Sequence, residues 1–480
     1  MSLKERTVRG MIWSFLDSFS AQIITFIVGI ILARLLEPQV FGLVGMITIF
    51  IALSETFIGS GFGSALIRKS DCSQTDYSTV FLFNLGAGLF FFLLLFILAQ
   101  PISNFFNEPQ LTSIVRVLSF VLIIDSLSIV QRTILTKNID FRLQAKISVI
   151  SGLFAGSISI LMAFRGWGVW SLVAKTLIQR AVTTLLLWLW NRWKPSFVFS
   201  TESFRQLFGF GSRLLASGLI DTLYRNIYYL IIGKFFSSAD LGYYTRAERF
   251  KALPSETISN VVLKVSYPVL SNIGNDSVSL KAAYVRLIKS TMLITFVLMI
   301  GLAAIAKPMT VILIGEKWLP SVVYLQMLCF VGMLYPLQSL NLNILLVHGR
   351  SDLGLKLEII KKAFAIPVIV AGIILGIKIM IAGMMINSLI AYWLNSYWSG
   401  RLIAYPIKEQ IVDILPSFGL AVFTGLIVYL TGLLLSLSYL GEFTIQVLLG
   451  GIIALMICEV TKLEEYGYLK EIIKEAFKKT

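Results

Sequence analysis

The chain has almost no catalytic vocabulary. Its 480 residues include one histidine, His348, and three cysteines, Cys72, Cys329 and Cys458. The cysteines lie far apart and form no CxxC pair, which excludes a disulfide framework and a thiolate metal site. With a single histidine, set in a basic stretch, there is no Ser/His/Asp set and no histidine metal cluster. "GSGFG" at 59–63 lacks the strand before and the Lys-Ser/Thr after that a phosphate loop needs; close helix packing explains it better. Charge is scarce as well. Only 14% of residues are charged against 57% hydrophobic, and mean hydropathy is +0.83. A soluble domain of this size needs a polar coat that such a composition cannot supply.

What the chain has instead is long apolar runs, such as "FLFNLGAGLFFFLLLFILA" at 81–99. Runs of about 18 or more apolar residues read as membrane-spanning helices. The fold class is therefore an all-α polytopic membrane protein. Turn signals and charged breaks divide it into about fourteen spans. These fall at 11–33, 40–63, 77–100, 111–135, 144–164, 167–190, 207–233, 240–270, 283–306, 321–347, 355–377, 379–404, 411–435 and 439–459. The basic start "MSLKERTVRGMIW" leads into a first span expected to be retained, since no small-residue cleavage site follows a short apolar core.

The loops alternate in charge. One side carries clusters such as Arg132, Lys137, Arg142 and Lys146, and a lysine-rich tail from Lys462. The other side carries isolated residues such as Arg34, Arg165, Lys234 and Lys378. The basic side is expected to be cytoplasmic, and both termini with it. The net charge of +15 is then a matter of topology and does not indicate nucleic acid. The outer connections, near 100–110 and 307–320, are short, which disfavours a membrane polymerase or ligase working on sugars outside the cell.

The chain also repeats itself. "ARLLEPQVFG" at 33–42 aligns with "GKFFSSADLG" at 233–242, "AQP" at 99–101 with "AKP" at 306–308, and "LQAKI" at 143–147 with "LGLKL" at 353–357. Six spans per unit is an even number, so the repeats run parallel. Two parallel six-helix lobes around a central site is a transporter architecture. The expected division is 1–206 and 207–408 for the lobes, with 409–480 as two extra spans and a tail.

Inside these spans the charges are patterned. In "GYYTRAERFKALP" at 242–254, a 100° turn per residue groups Arg246 with Arg249, Glu256, Thr257, Asn260 and Lys264. Glu248 and Lys251 fall on the other side and can pair at i, i+3. Each cation facing lipid at mid-depth would cost roughly 2.5–3.5 kcal/mol, so the stripe must meet water, a polar helix or a bound anion. Pro254 is a candidate hinge. In the preceding span Arg213, Asp221 and Arg225 share a face, with Asp221–Arg225 an i, i+4 pair. Lys175, Arg180 and Arg116 add further intramembrane cations, and Asp17, Glu55 and Asp125 further acids. Such acid–base pairs also serve simply to fasten helices, and a cation near a helix end can snorkel.

"FGSALIRKSDCSQTDYSTVFLFNLGAG" at 62–88, "FFNEPQL" at 105–111, "GWGVWSLVAKTLIQR" at 166–180, "LGYYTRAERFKALP" at 241–254, "GEKWLP" at 315–320 and "LVHGRSDLGLKLEIIKK" at 346–362 resemble the polysaccharide-lipid flippases. These belong to the multidrug/oligosaccharidyl-lipid/polysaccharide superfamily, and the similarity is to the branch of colanic acid and teichuronic acid exporters. It covers residues 1 to about 410. It implies two six-helix lobes in a V, a central cationic cavity, and outward flipping of an undecaprenyl-pyrophosphate-linked oligosaccharide across the bacterial cytoplasmic (inner) membrane.

On that resemblance Arg246, Arg249, Arg225, Arg213, Lys175 and Lys264, with Arg180 and Arg116, are expected to receive the pyrophosphate. Asp17, Glu55, Asp125, Asp221, Glu248 and Glu256 are candidates for H+ or Na+ coupling. No cofactor, metal or catalytic group is expected. Membrane lipids, a polysaccharide polymerase and glycosyltransferases are the expected company. A drug-cation exporter of the same superfamily would instead call for an acidic or aromatic cavity. A flippase for the peptidoglycan precursor would share the cationic one.

Overall fold

The computed structural model describes residues 20–59, 61–273, 276–435 and 437–478. Among these there is no strand. The helices, in chain order, begin with α1 (Ser20–Leu35), α2 (Pro38–Gly59), α3 (Phe62–Arg68), α4 (Gln74–Phe106), α5 (Leu111–Leu118), α6 (Phe120–Ser126) and α7 (Ile129–Lys137). They continue with α8 (Phe141–Phe164), α9 (Val169–Trp190), α10 (Thr201–Phe235), α11 (Ser238–Ile273), α12 (Ser277–Ala304) and α13 (Ala306–Ile314). The last are α14 (Pro320–Met333), α15 (Tyr335–Val347), α16 (Ser351–Leu375), α17 (Ile377–Leu402), α18 (Ile407–Leu434), α19 (Tyr439–Thr461) and α20 (Glu464–Lys478).

Every expected span from 40–63 onward falls on a helix or on a short chain of helices. Among the described residues ten are long and apolar enough to cross a membrane, and α1 is a shorter apolar helix. The count of fourteen is therefore not reached by length and hydropathy. The three long helices that fall short, α10, α11 and α16, are among those that carry charges along their length. Large apolar side chains such as Ile97, Leu434 and Val460 stand exposed on the spans, as lipid-facing positions must.

Local chemistry sets the boundaries. At the start of α4, Ser73 Oγ accepts from the Asp76 N–H at 3.1 Å, and Asp76 Oδ2 accepts from the Ser73 N–H at 2.9 Å. This capping box satisfies two backbone donors at once. Lys69 Nζ closes on the same Asp76 carboxylate at 2.7 Å, so the "RKSDCSQTD" segment is a helix-start device. Pro38 opens α2, where its missing N–H is harmless.

The chain forms two compact units, Met1–Gly242 and Tyr243–Thr480. In the first, α8 packs on α9, α4 on α5 and α6, and α10 along α2. Thr56 and Thr222 hydroxyls meet at 2.9 Å on the α2–α10 seam. That seam is why the packing boundary falls after α10 rather than at the sequence-repeat boundary near 206. In the second, α12 packs on α18 and α14, α16 on α17, and α15 on α17. A buried polar network ties this unit together. Tyr284 OH donates to Asn341 Oδ1 at 3.1 Å, Ser399 Oγ donates to the same oxygen, and Ser396 Oγ donates to Gln410 Oε1 at 3.0 Å. The segment after Lys462, expected as a tail, is the helix α20. Its buried Glu465 accepts from Ser417 Oγ at 2.6 Å, and Lys289 meets Glu464 at 2.9 Å.

The repeat is visible inside the first unit. The break between α1 and α2 and the break between α10 and α11 fall at the same repeat positions, 36–37 and 236–237. The two helix starts cross reciprocally. A Cβ on Gly42 would lie 1.7 Å from the Ser238 carbonyl oxygen, and a Cβ on Gly242 would lie 2.0 Å from the Pro38 carbonyl oxygen. Pro38 and Ser238 are equivalent in the repeat, as are Gly42 and Gly242. Only glycine permits backbones this close. Gly42→Val or Gly242→Val should therefore destabilise the purified protein by about 1–3 kcal/mol, read as a melting temperature lower by several degrees. Gly86→Ala, where a Cβ meets nothing within 4 Å, should not lower it. Unchanged melting of both valine variants would contradict the crossing.

Candidate functional site

Two polar constellations stand out, one in each unit. In the first, three helices bring an arginine between two carboxylates. Glu55 comes from α2, Asp125 from α6 and Arg180 from α9. Arg180 Nη2 lies 3.2 Å from Glu55 Oε1, and Nη1 lies 3.3 Å from Asp125 Oδ2. The expected span at 111–135 is broken here into α5, α6 and α7. Serines at the breaks turn their hydroxyls back onto the chain: Ser119 to the Arg116 carbonyl at 2.7 Å and Ser128 to the Asp125 carbonyl at 2.9 Å. Such back-bonding bends helices, and it sets Asp125 at a corner where its carboxylate can reach Arg180.

The triad lines a cavity of about 390 Å³. Arg132, Ser128, Thr133 and Thr136 line it too, as do Gly59 and Gly63 of the "GSGFG" segment. Gly63 is a tight fit: a Cβ there would sit 3.3 Å from Thr133 Oγ1.

The second constellation is α11. Arg249, Glu256, Asn260 and Lys264 are exposed along one face, and Arg246 and Thr257 on the same face are partly buried. Tyr244 and Ser255 on the opposite face are buried, as are Phe250 and Ser259 at the stripe's two edges. Ser255 Oγ donates to the Gly332 carbonyl of α14 at 3.2 Å, fixing which face turns inward. The i, i+3 pair forms behind the stripe, with Lys251 Nζ 3.0 Å from Glu248 Oε1. The aliphatic stem of Lys251 packs where Gly332 has no side chain. Pro254 lies within the run of α11, which stays helical on both sides of it.

The remaining expected residues scatter. Asp221 and Arg225 form their i, i+4 pair at 2.8 Å on an exposed face of α10. Lys175 is half-buried on α9. Arg116 is exposed, with its guanidinium over the Phe96 ring at 5.1 Å. Asp17 and the side chain of Arg213 lie outside the described residues. Among the described residues no three His, Cys, Asp or Glu could hold a metal ion.

Sequence reasoning did not single out Arg132, Ser128, Thr133 and Thr136 as site residues. By sequence Arg132 reads as a loop charge. The available signal was their helical spacing, three, seven, eight and eleven residues after Asp125, which groups them on the acid's side of the chain.

Residues 31–323 match the family described as polysaccharide biosynthesis protein. The chain is 26% identical to the teichuronic acid biosynthesis protein TuaB of Bacillus subtilis (strain 168), over 74% of each chain. It is 25% identical to the lipopolysaccharide biosynthesis protein WzxC of Escherichia coli (strain K12), over 91% of this chain and 89% of that one. Among solved structures it resembles the lipid II flippase MurJ in an inward closed conformation. The TM-score is 0.78 at 16% identity, over 94% of this chain and 98% of that one.

The Arg180 triad makes a stability prediction. All three side chains are partly exposed, at 37%, 32% and 13% for Arg180, Glu55 and Asp125, so the pairing is discounted for screening. A double-mutant cycle of Glu55→Gln with Arg180→Gln should give a coupling of about 0.5–1 kcal/mol. Arg180→Gln alone should cost more than Glu55→Gln alone, because it leaves two carboxylates facing each other. Strict additivity in detergent unfolding would contradict the bridge.

Proposed function

The chain belongs to the polysaccharide biosynthesis protein family, and from that premise we propose that it flips an undecaprenyl-pyrophosphate-linked oligosaccharide from the cytoplasmic to the outer leaflet. The cargo serves export of a surface polysaccharide. It is a transport protein of the multidrug/oligosaccharidyl-lipid/polysaccharide superfamily and performs no bond chemistry. It resides in the bacterial cytoplasmic membrane with both termini inside.

The observation that carries this reading is the face of α11. Arg249 and Lys264 stand exposed on a helix whose other face packs into the unit. Cations in a membrane protein need a water-filled or anionic counterpart. A pyrophosphate supplies one, through charge-assisted hydrogen bonds that arginine makes in bidentate form. In this reading two six-helix lobes, 1–206 and 207–408, flank a central cavity in a V, and 409–480 is an appendage. Arg246, Arg249, Arg225, Arg213, Lys175 and Lys264 receive the head group while the lipid tail stays in the bilayer. Alternating access, with Pro254 as a hinge, exposes the head group first inside and then outside. H+ or Na+ coupling would run through acids among Asp17, Glu55, Asp125, Asp221, Glu248 and Glu256. A polymerase and glycosyltransferases act before and after it.

The likeness to a lipid II flippase concerns the fold. The match of residues 31–323 to the polysaccharide family favours surface polysaccharide over peptidoglycan precursor as the cargo. In a strain lacking its own exporter, Arg246→Ala and Arg249→Ala together should abolish surface polysaccharide at normal protein levels. Normal export by the double variant would refute the cationic stripe as the head-group site.

A further inference from the structure

We propose that the cavity around Arg180 is a sugar subsite, and that it selects the glycan instead of binding the pyrophosphate. The inference rests on the flippase reading and assigns one part of the cargo to one cavity of the first unit.

Charge comes first. The four ionisable groups on the wall are Glu55, Asp125, Arg132 and Arg180, two of each sign. Arg180 already bridges both acids. A pyrophosphate arriving here would have to compete for that guanidinium and would leave two carboxylates beside its own negative charges. Like charges at contact distance disfavour one another strongly in a partly dehydrated site. The cavity is thus poor for a multiply charged anion, although it contains two arginines.

The hydroxyls point the same way. Thr133 Oγ1 donates to the Ile129 carbonyl at 2.8 Å, Thr136 Oγ1 to the Arg132 carbonyl at 3.0 Å, and Ser128 Oγ to the Asp125 carbonyl at 2.9 Å. Each of these hydroxyl protons is therefore engaged with the chain, and what each oxygen retains is acceptor capacity, part of which Thr136 already gives to Gln144 Nε2 at 3.0 Å. The carboxylates are acceptors too, each with lone pairs beyond the one Arg180 uses. The wall is rich in acceptors, with guanidinium donors between them.

A pyrophosphate has only acceptors to offer and matches such a wall badly. A sugar has hydroxyls that both donate and accept. It can donate to the carboxylates and side-chain oxygens and accept from Arg180 and Arg132. Ile58, Ile67 and Ile129 supply apolar wall for its C–H faces. At about 390 Å³ the cavity has space for on the order of ten waters, enough for a monosaccharide unit to replace them.

The test is binding by the full-length chain in lipid nanodiscs, with two probes. One is undecaprenyl pyrophosphate. The other is the lipid-linked oligosaccharide fraction from membranes of the chain's own host. Wild type should bind the oligosaccharide lipid more tightly. Glu55→Gln with Asp125→Asn should reduce that preference by about tenfold and leave undecaprenyl pyrophosphate binding unchanged or tighter. Thr133→Val, which keeps the shape and every charge, should reduce the preference in the same direction, so the claim does not hang on one variant folding. If the variants weaken both probes alike, or weaken undecaprenyl pyrophosphate alone, the sugar subsite is wrong while the flippase reading stands. If wild type binds neither probe, the flippase reading itself fails and the subsite goes with it.

Discussion

A charged side chain inside hydrocarbon costs roughly 2.5–3.5 kcal/mol on the most lenient scale, and this chain keeps many such residues within its helices. It meets that constraint in three ways. Lys251 and Glu248 neutralise each other within one helix, with the lysine stem laid across Gly332. Arg180 gathers two acids from two other helices. Arg249, Glu256 and Lys264 share an exposed face of α11. The first solution is closed on itself. The second leaves its groups lining a cavity. The third calls for solvent or a ligand, and it is the one that carries the proposed function.

The internal repeat sharpens the contrast. The glycines at 42 and 242 and the carbonyls of Pro38 and Ser238 form a reciprocal crossing, so this part of the framework is preserved in both copies. Four and seven residues beyond these glycines the copies part. Met46 and Ile49 are buried apolar residues, while Arg246 and Arg249 hold the equivalent positions. A duplicated scaffold thus carries cations at these two positions on one copy of the helix only. The other copy has its own polar centre lower on the same helix, at Glu55, and builds it with different partners. Under the proposed function the first feature receives the pyrophosphate, and under the further inference the second receives the glycan.

Much of this was legible in the chain itself. Hydropathy located the helices, because burial in lipid demands long apolar runs. Helical geometry separated Arg249 and Lys264 from Glu248 and Lys251, since those relations lie within one helix. What escaped was long-range or conformational. Arg180 was grouped with the anion-binding cations, because nothing local to α9 reveals that α2 and α6 bring acids to it. The breaks at Ser119 and Ser128 were invisible to hydropathy, which sees one continuous apolar run from 111 to 135. α20 reads as a tail because its charges are dense; the buried seat of Glu465 against Ser417 and the Lys289–Glu464 pair show that it docks.

The central claim is that the chain carries a lipid-linked oligosaccharide across a bilayer. The most direct measurement is leaflet exchange in proteoliposomes holding the purified chain and a radiolabelled undecaprenyl-pyrophosphate-linked oligosaccharide, followed by accessibility of the sugar to an impermeant oxidant. The account predicts that the shielded inner-leaflet pool becomes accessible far faster with the protein than without it, and that free undecaprenyl pyrophosphate in excess slows the exchange. Exchange no faster than in protein-free vesicles would contradict it.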